Sequence, residues 1–142
     1  MPSFTAQVPN LKVVGPVMKL RLSVGSAVEP AFRASGTAVP TPIPAVGMID
    51  TGATVSVMRQ GFASRLGLSP VGVVHINTPM STNVPCYEYL VRIDLPGNVV
   101  AETTVLEAPL LGQHIQCLVG RDVLAHGVLI YIGYENLFSL SF

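Results

Sequence analysis

The strongest constraint on the fold is a series of short segments in which apolar and polar residues alternate. Between residues 18 and 24 every second residue is apolar, and the residues between them are Lys19, Arg21 and Ser23. A period of two is typical of a half-buried β-strand. Similar strand-like segments, separated by Gly, Pro and Asn, occur at 45–49, 71–77, 87–95, 99–106, 115–119, 128–132 and 137–142. About eight short strands predict an all-β fold, either a closed barrel or a sandwich.

The remaining segments predict loops and little helix. Residues 25–44 are rich in Pro, Gly, Ser and Ala and indicate a long loop. The apolar spacing of residues 57–66, followed by Gly67, predicts a short helix with a glycine stop. A helical turn is expected at about residues 121–126. Residues 71–95 predict a hairpin whose polar tip lies at about 78–83.

Composition limits the classes of function. The chain has 142 residues, which is enough for a single domain spanning 1–142, and a net charge of zero without a basic run, which argues against nucleic-acid binding. Only 11% of its residues are charged, against about 25% in a typical soluble domain. So few charges suit a protein that hides surface in an oligomer or lines an apolar groove.

The sequence gives no sign of a membrane or secretory segment. No apolar stretch reaches the roughly 20 residues needed to span a bilayer, and the first residues lack the order of a signal peptide. A cytoplasmic location is therefore the default expectation. Two cysteines, Cys86 and Cys117, are too few for a disulfide framework, and we expect both to be buried thiols.

One short motif carries the chemistry. A buried-strand pattern ends at Asp50, which is followed by Thr51, Gly52 and Ala53. Burying an unpaired carboxylate is costly, so Asp50 is either a surface turn residue or a carboxylate placed inside for a purpose. A second motif lies about 70 residues later and consists of Leu118, Val119, Gly120, Arg121 and Asp122.

Together these motifs resemble the retropepsin-like aspartic proteases, the family of the retroviral proteases and their bacterial and eukaryotic relatives, and we expect a bacterial member. That family carries an Asp-Thr/Ser-Gly-Ala loop after a strand and a later hydrophobic-hydrophobic-Gly segment that crosses beneath the loop. The resemblance spans roughly residues 13–142. It implies that the hairpin is a flap, whose substrate-binding residues would be Thr78, Pro79, Met80, Ser81, Thr82 and Asn83, together with Ala53.

The chemistry of this family implies a homodimer. Hydrolysis without a metal or covalent nucleophile needs a water held between two carboxylates that share a proton. The chain has three aspartates, Asp50, Asp94 and Asp122, and neither of the last two lies in a second Asp-Thr-Gly context. Asp122 is expected to cap the short helix. The second catalytic carboxylate is therefore expected from Asp50 of another copy, with a peptide or protein as substrate and no cofactor or metal.

The resemblance also assigns roles around Asp50. Gly52 lets the backbone approach the carboxylate, and Thr51 is expected to hydrogen-bond to its copy across the dimer interface. Leu118 to Asp122 are expected to support the loop from below. Ala53 stands where pepsin-like enzymes have a hydroxyl that favours the ionised carboxylates, so its absence predicts a mildly acidic optimum.

The pattern departs from the retroviral members at Thr54. Those members have an acid at this position, which pairs with the Arg of Gly-Arg. Arg121 therefore needs another partner, and Asp122 or an acid of the second subunit are the expected alternatives.

Other interpretations remain open from the residues alone. His114 and Cys117, with Cys86, His75 and His126 elsewhere, could be imagined as a zinc site or a Cys-His pair, but no second close ligand pair exists. Asp50 could be an ordinary turn residue. The same fold could also serve as a peptide-binding or dimerisation module that does not cut.

Overall fold

The computed structural model describes residues 1–110 and 113–142. Within them the chain forms ten strands, four short α-helices and two 3-10 turns. The strands are β1 (Ser3–Gln7), β2 (Val17–Val24), β3 (Ile43–Ile49), β4 (Val57–Arg59), β5 (Gly72–Ile76), β6 (Val84–Asp94), β7 (Val100–Ala108), β8 (Cys117–Val119), β9 (Val128–Ile132) and β10 (Leu137–Ser141). The helices are α1 (Leu11–Val14), α2 (Glu29–Ala34), α3 (Phe62–Arg65) and α4 (Arg121–Leu124).

Six strands close into a barrel. Neighbouring strands follow the order β2-β3-β8-β4-β7-β6, and β6 pairs back onto β2 to complete the ring. Strand β5 extends the barrel wall as the outer strand of a hairpin with β6. The all-β fold predicted from the alternation is confirmed, and of the two predicted alternatives, a closed barrel or a sandwich, the chain forms the barrel. It follows from strands that each have one apolar face, because a closed ring buries those faces in a common interior.

A separate three-stranded sheet brings the two ends of the chain together. Its order is β1-β10-β9, with all pairs antiparallel. Phe4 and Phe138 meet edge to face with ring centroids 6.0 Å apart. Both rings belong to the same apolar cluster as the barrel interior, so the sheet and the barrel share one core.

Several predicted segments differ in detail. The expected helix over residues 57–66 is wrong in its first half, because Val57–Arg59 form β4 between β7 and β8. Only Phe62–Arg65 are helical, after Gly61 at a positive φ of 103°. Gly67, at a φ of 63°, follows the helix as predicted. Pairing on both sides of β4 outweighs the helical spacing of its apolar residues.

The segment predicted as a long loop is partly structured. Residues 29–34 form α2, with Pro30 in its first turn, and β3 already begins at Ile43. Strand β1 and helix α1 were also not predicted. Together with β4 and α2 they account for the two additional strands and two additional helices. No helix among residues 1–110 and 113–142 is long and apolar enough to cross a membrane.

Candidate active site

The two motifs meet because β3 and β8 run parallel and side by side. Their register pairs Met48 with Leu118 and Ile49 with Val119. Parallel neighbours end at the same edge of a sheet, so the turns that follow them emerge together. The backbone N–H of Asp50 donates to the carbonyl of Val119 at 2.9 Å and joins the two turns at that edge.

The Asp50 turn closes around its own carboxylate. Oδ1 of Asp50 accepts a hydrogen bond from the N–H of Gly52 at 2.9 Å, and the Ala53 N–H donates to the Asp50 carbonyl at 3.2 Å. A Cβ added at Gly52 would lie 3.1 Å from that Oδ1, which is closer than ordinary packing allows. Glycine therefore lets the backbone N–H reach the carboxylate.

Gly120 permits the second turn to cross directly against the first. A Cβ at this position would lie 2.7 Å from the carbonyl carbon of Val55 and 3.0 Å from the carbonyl oxygen of Ala53. Both are backbone atoms, which cannot move aside as a flexible side chain can. Beyond the glycine, the Arg121 N–H donates to the Ala53 carbonyl at 2.9 Å.

A buried serine holds the crossing together. Ser56 is fully buried, and its hydroxyl donates to Oδ1 of Asp122 at 2.8 Å while accepting from the Gly120 N–H at 2.9 Å. The Ser56 N–H donates to the other carboxylate oxygen at 3.0 Å, and the Val123 N–H donates to Oδ1 at 2.9 Å. The Asp122 carboxylate thus accepts three hydrogen bonds, two of them from a residue 66 positions away along the chain.

The expectation that Asp122 caps the short helix is wrong. Gly120 occupies the N-cap of α4 and makes no side-chain cap, whereas Asp122 lies inside the first turn and ties the helix to Ser56. Sequence reasoning also missed Ser56. The available signal was a single small polar residue between Val55 and Val57 in an apolar run.

The guanidinium of Arg121 donates to two neutral acceptors instead of forming the expected ion pair. Its Nη1 donates to the Thr51 carbonyl at 2.7 Å and its Nη2 donates to the Thr54 hydroxyl at 3.1 Å. Asp122, named as one possible partner, faces Ser56 instead. A carboxylate at position 54 is therefore not needed to hold the guanidinium against the Asp50 turn. A contact of Arg121 with an acid of a second subunit stays a prediction.

The hairpin tip is built from exposed residues. Strands β5 and β6 pair from Gly72–Glu88 up to Ile76–Val84, and the turn between them is closed by bonds between Thr78 and Ser81. All six residues from 78 to 83 are exposed, and Met80 shows 92% of its surface. Within the described chain, no hydrogen bond joins this tip to the Asp50 turn.

An apolar groove lies beside the strand that leads to Asp50. Val46 and Met48 point away from the barrel interior, and alternation along the strand places Asp50 in the same phase. The groove has a volume of about 420 Å³. It is lined by Val13, Val14, Val17, Val46, Met48, Gln113, His114 and Ile115.

The alternative chemistry has little geometric support. Cys86 and Cys117 are both buried free thiols, as predicted. Burial, with a smaller effect of the Asp122 charge, raises the pKa of Cys117 to about 12, so the thiolate needed for attack or metal binding is disfavoured. Among the residues that the structure describes, no three His, Cys, Asp or Glu side chains cluster as metal ligands would.

Two solved structures share the fold. A retropepsin-like aspartic protease from Rickettsia conorii matches with a TM-score of 0.56 and 12% identity over 97% of this chain and 89% of that one. EIAV protease, solved with an inhibitor, matches with a TM-score of 0.51 and 20% identity over 82% of this chain and 90% of its own. The expectation of a bacterial member stays a prediction, because the two structures come from a bacterium and a virus.

The family assignment comes from sequence. No curated protein matches the chain. A family model described as aspartyl protease matches residues 41–123, which include both the Asp50 turn and the Gly120 crossing and exceed half of the chain. The chain therefore belongs to the aspartyl protease family and has the retropepsin-like fold.

Proposed function

We propose that this protein is an aspartic endopeptidase that works as a homodimer, with Asp50 of each subunit forming one shared pair of carboxylates. The observation that carries the proposal is the difference among the three aspartates. Asp94 is held by Arg92 at 2.9 Å and lies 3.9 Å from Arg21, and Asp122 accepts three hydrogen bonds. Asp50 accepts one, through Oδ1, which leaves Oδ2 free of any bond within the described chain.

A single copy cannot complete the chemistry. Asp94 and Asp122 are both engaged structurally, so the second catalytic carboxylate comes from the other subunit. Two carboxylates about 3 Å apart cannot both be ionised, so the pair holds one shared proton. A two-fold axis beside the Asp50 turn meets this requirement, because it places two identical turns face to face.

The reaction then divides its proton transfers between the two carboxylates. The ionised Asp50 accepts a proton from a water molecule as its oxygen bonds to the peptide carbonyl carbon. The protonated Asp50 of the second subunit donates its proton to the carbonyl oxygen. The tetrahedral intermediate collapses when the first Asp50 gives its new proton to the amide nitrogen, the second Asp50 takes a proton from a hydroxyl of the intermediate and the carbon–nitrogen bond breaks. One ionised and one protonated Asp50 are then restored. No metal or cofactor takes part in these steps.

The surrounding residues fit supporting roles. The Thr51 hydroxyl forms no hydrogen bond among the described residues, so it is available to meet its copy across the dimer. Residues 78 to 83 close over an extended peptide, and Leu118 to Asp122 support the turn from below. The groove next to Met48 favours apolar side chains near the cleaved bond. Ala53 brings no hydroxyl to the carboxylates, which supports a mildly acidic optimum.

The test is cleavage of a mixed peptide library between about pH 4 and 7 by the wild type and Asp50→Asn. The variant preserves shape and removes the proton-accepting group, so we expect the rate to fall by at least about 10²- to 10⁴-fold, the range associated with one acid–base group. Asp94→Asn is the matched control and keeps its activity. Full activity in Asp50→Asn contradicts the proposal. A well-folded wild type that binds these peptides without cutting them favours the non-catalytic module.

A further inference from the structure

The segment that connects β7 to β8 crosses the end of β4. Strand β4 lies between these two strands in the barrel and pairs with both. Arg59, its last residue, is paired with Ala108, the last residue of β7. Cys117, the first residue of β8, is paired with Met58 on the other side. The connecting segment therefore passes across the end of β4 next to Arg59, and its residues 113–115 line the apolar groove beside β3.

One nitrogen of the Arg59 guanidinium holds this connecting segment. Its Nη2 donates to the Gln113 carbonyl at 2.6 Å and to the Ile115 carbonyl at 2.7 Å, with a longer contact of 3.4 Å to the Leu110 carbonyl. Hydrogen bonds from a charged donor are roughly twice as strong as neutral ones. Within residues 1–110 and 113–142, no carboxylate forms an ion pair with Arg59. Its charge therefore acts on the backbone of the connecting segment.

Further hydrogen bonds fix the end of the connecting segment to β3 and β4. The Gln116 N–H donates to the Val46 carbonyl at 2.8 Å, and the Val46 N–H donates to Oε1 of Gln116 at 2.8 Å. The backbone N–H of Arg59 donates to the Gln116 carbonyl, also at 2.8 Å. Val46 and Met48 line the same groove as residues 113–115. The separation of the two walls of the groove is therefore set by these bonds together with the Arg59 guanidinium.

We propose that Arg59 is a positioning residue that sets the width of this groove and thereby selects the size of the substrate side chain that enters it. The inference rests on the proposed function, in which the groove receives an apolar side chain near the cleaved bond. The Asp50 turn is held by other groups, Ser56 and Arg121 among them. Arg59 therefore acts on the binding of the side chain and leaves the proton transfers unchanged.

The test is Arg59→Met, which keeps an apolar stem and removes the guanidinium. Cleavage is measured on peptides that carry either leucine or alanine at one of the two residues that flank the cut. The wild type should prefer leucine by about tenfold or more, as expected when a side chain fills an apolar pocket. In Arg59→Met this preference should fall to about threefold or less, because a displaced wall loses contact with the side chain. The change should appear in KM, with kcat within about twofold of the wild type.

Two further variants serve as controls. Arg59→Lys keeps a charged donor, and the three contacts all come from one nitrogen, so the lysine ammonium should restore part of the preference for leucine. Arg33→Met makes the same chemical change as Arg59→Met in a side chain that is 71% exposed and pairs with Glu29 on the surface of α2. Exposed ion pairs contribute little, so Arg33→Met should keep the wild-type preference.

Two measurements report on the groove without cleavage. Hydrogen exchange at the amides of Val46 and Gln116 should be faster in Arg59→Met by several-fold, whereas the Gly52 amide, which donates to Asp50, should exchange as in the wild type. Binding of the leucine and alanine peptides to Asp50→Asn, with and without Arg59→Met, gives the size preference of an inactive protein. Thermal unfolding checks that each variant is folded, and Arg59→Gln replaces Arg59→Met if the methionine variant is not.

The outcomes separate this inference from the function. Cleavage that depends on Asp50, with the same preference for leucine in the wild type and in Arg59→Met, overturns the inference and leaves the function standing. A wild type that does not prefer leucine in either cleavage or binding also overturns it, as does a loss confined to kcat. A protein that binds leucine peptides in a manner that depends on Arg59, but does not cut them, supports the inference and refutes the function.

Discussion

The Asp50 turn and the tip of the β5–β6 hairpin differ in where their hydrogen bonds go. Bonds around the turn reach Gly120, Arg121 and Asp122, which are 64 to 70 residues away along the chain. Among residues 1–110 and 113–142, the side chains of the tip bond only within residues 77–83. The turn is therefore fixed by the folded core, whereas the tip can rearrange at little cost to it. A fixed carboxylate and an adaptable hairpin tip fit the proposed role of the tip as a flap that closes over a peptide.

Among the variants that test this difference between the turn and the tip, Ser56→Ala is expected to lower the free energy of unfolding most. The change removes the hydroxyl between Gly120 and Asp122 and leaves buried groups unsatisfied, at a cost of about 1–3 kcal/mol in the free energy of unfolding. Urea denaturation measures it, and cleavage should fall as the Asp50 turn loosens. Ser64→Ala, at an exposed position of α3, is the control and should change the free energy by less than about 0.5 kcal/mol. Equal losses in both variants would refute the fixed-turn account.

A smaller effect concerns the two thiols. Burial raises the pKa of Cys117 from 9.0 to about 12, and it also raises the pKa of Cys86 on the hairpin strand β6. Above pH 9 the unfolded chain loses a proton that the native Cys117 keeps, so the free energy of unfolding should fall as pH rises from about 9 toward 12.

Cys117→Ala should flatten this fall more than Cys86→Ala does, with both followed by denaturation at several pH values. The two variants carry the same chemical change, so the comparison isolates the position of the thiol. An identical pH dependence in the wild type and Cys117→Ala would show that the thiol beneath the turn titrates freely.

The smallest effect on stability is expected from Met80→Ala. Its side chain is 92% exposed at the tip, so the free energy of unfolding should change by less than about 0.5 kcal/mol. If the tip covers the peptide, KM should nevertheless rise several-fold. Val100→Ala, exposed on the barrel wall, should leave both quantities unchanged. If Met80→Ala lowered the free energy of unfolding and left KM unchanged, the tip would be part of the fixed structure and not an adaptable flap.

The alternation of apolar residues was sufficient to predict the strands with a clear inner face. Strands β2 and β6 each bury every second side chain over most of their length, so the pattern is visible locally. Strand β4 has only three residues, and its state depends on pairing with β7 and β8. Strand β1 likewise depends on pairing with β10, whose residues lie 130 or more positions away along the chain. Such distant pairings leave no local signal.

The site divides in the same way. Backbone demands leave marks in the sequence, as at Gly52 and Gly120, where a Cβ would collide with the opposite turn or crowd the carboxylate. Hydrogen bonds between side chains and distant groups leave no such mark in the sequence. Arg121 donates to the Thr51 carbonyl and the Thr54 hydroxyl because the folded chain brings these groups together. The hydrogen bond from Ser56 to Asp122 forms for the same reason. The sequence could identify Asp50 and the segment from Leu118 to Asp122 that supports its turn, but not Ser56 or the hydrogen-bond partners that hold the turn in place.

The most direct test of the shared pair of carboxylates is subunit mixing. A fixed amount of wild type is equilibrated with increasing amounts of Asp50→Asn, and the rate of peptide cleavage is measured. If each dimer needs both Asp50 residues, random exchange lowers the rate to about one half with an equal amount of variant and to about one tenth with a ninefold excess. A rate that does not change as the variant is added, while mixed dimers are shown to form, would contradict the account.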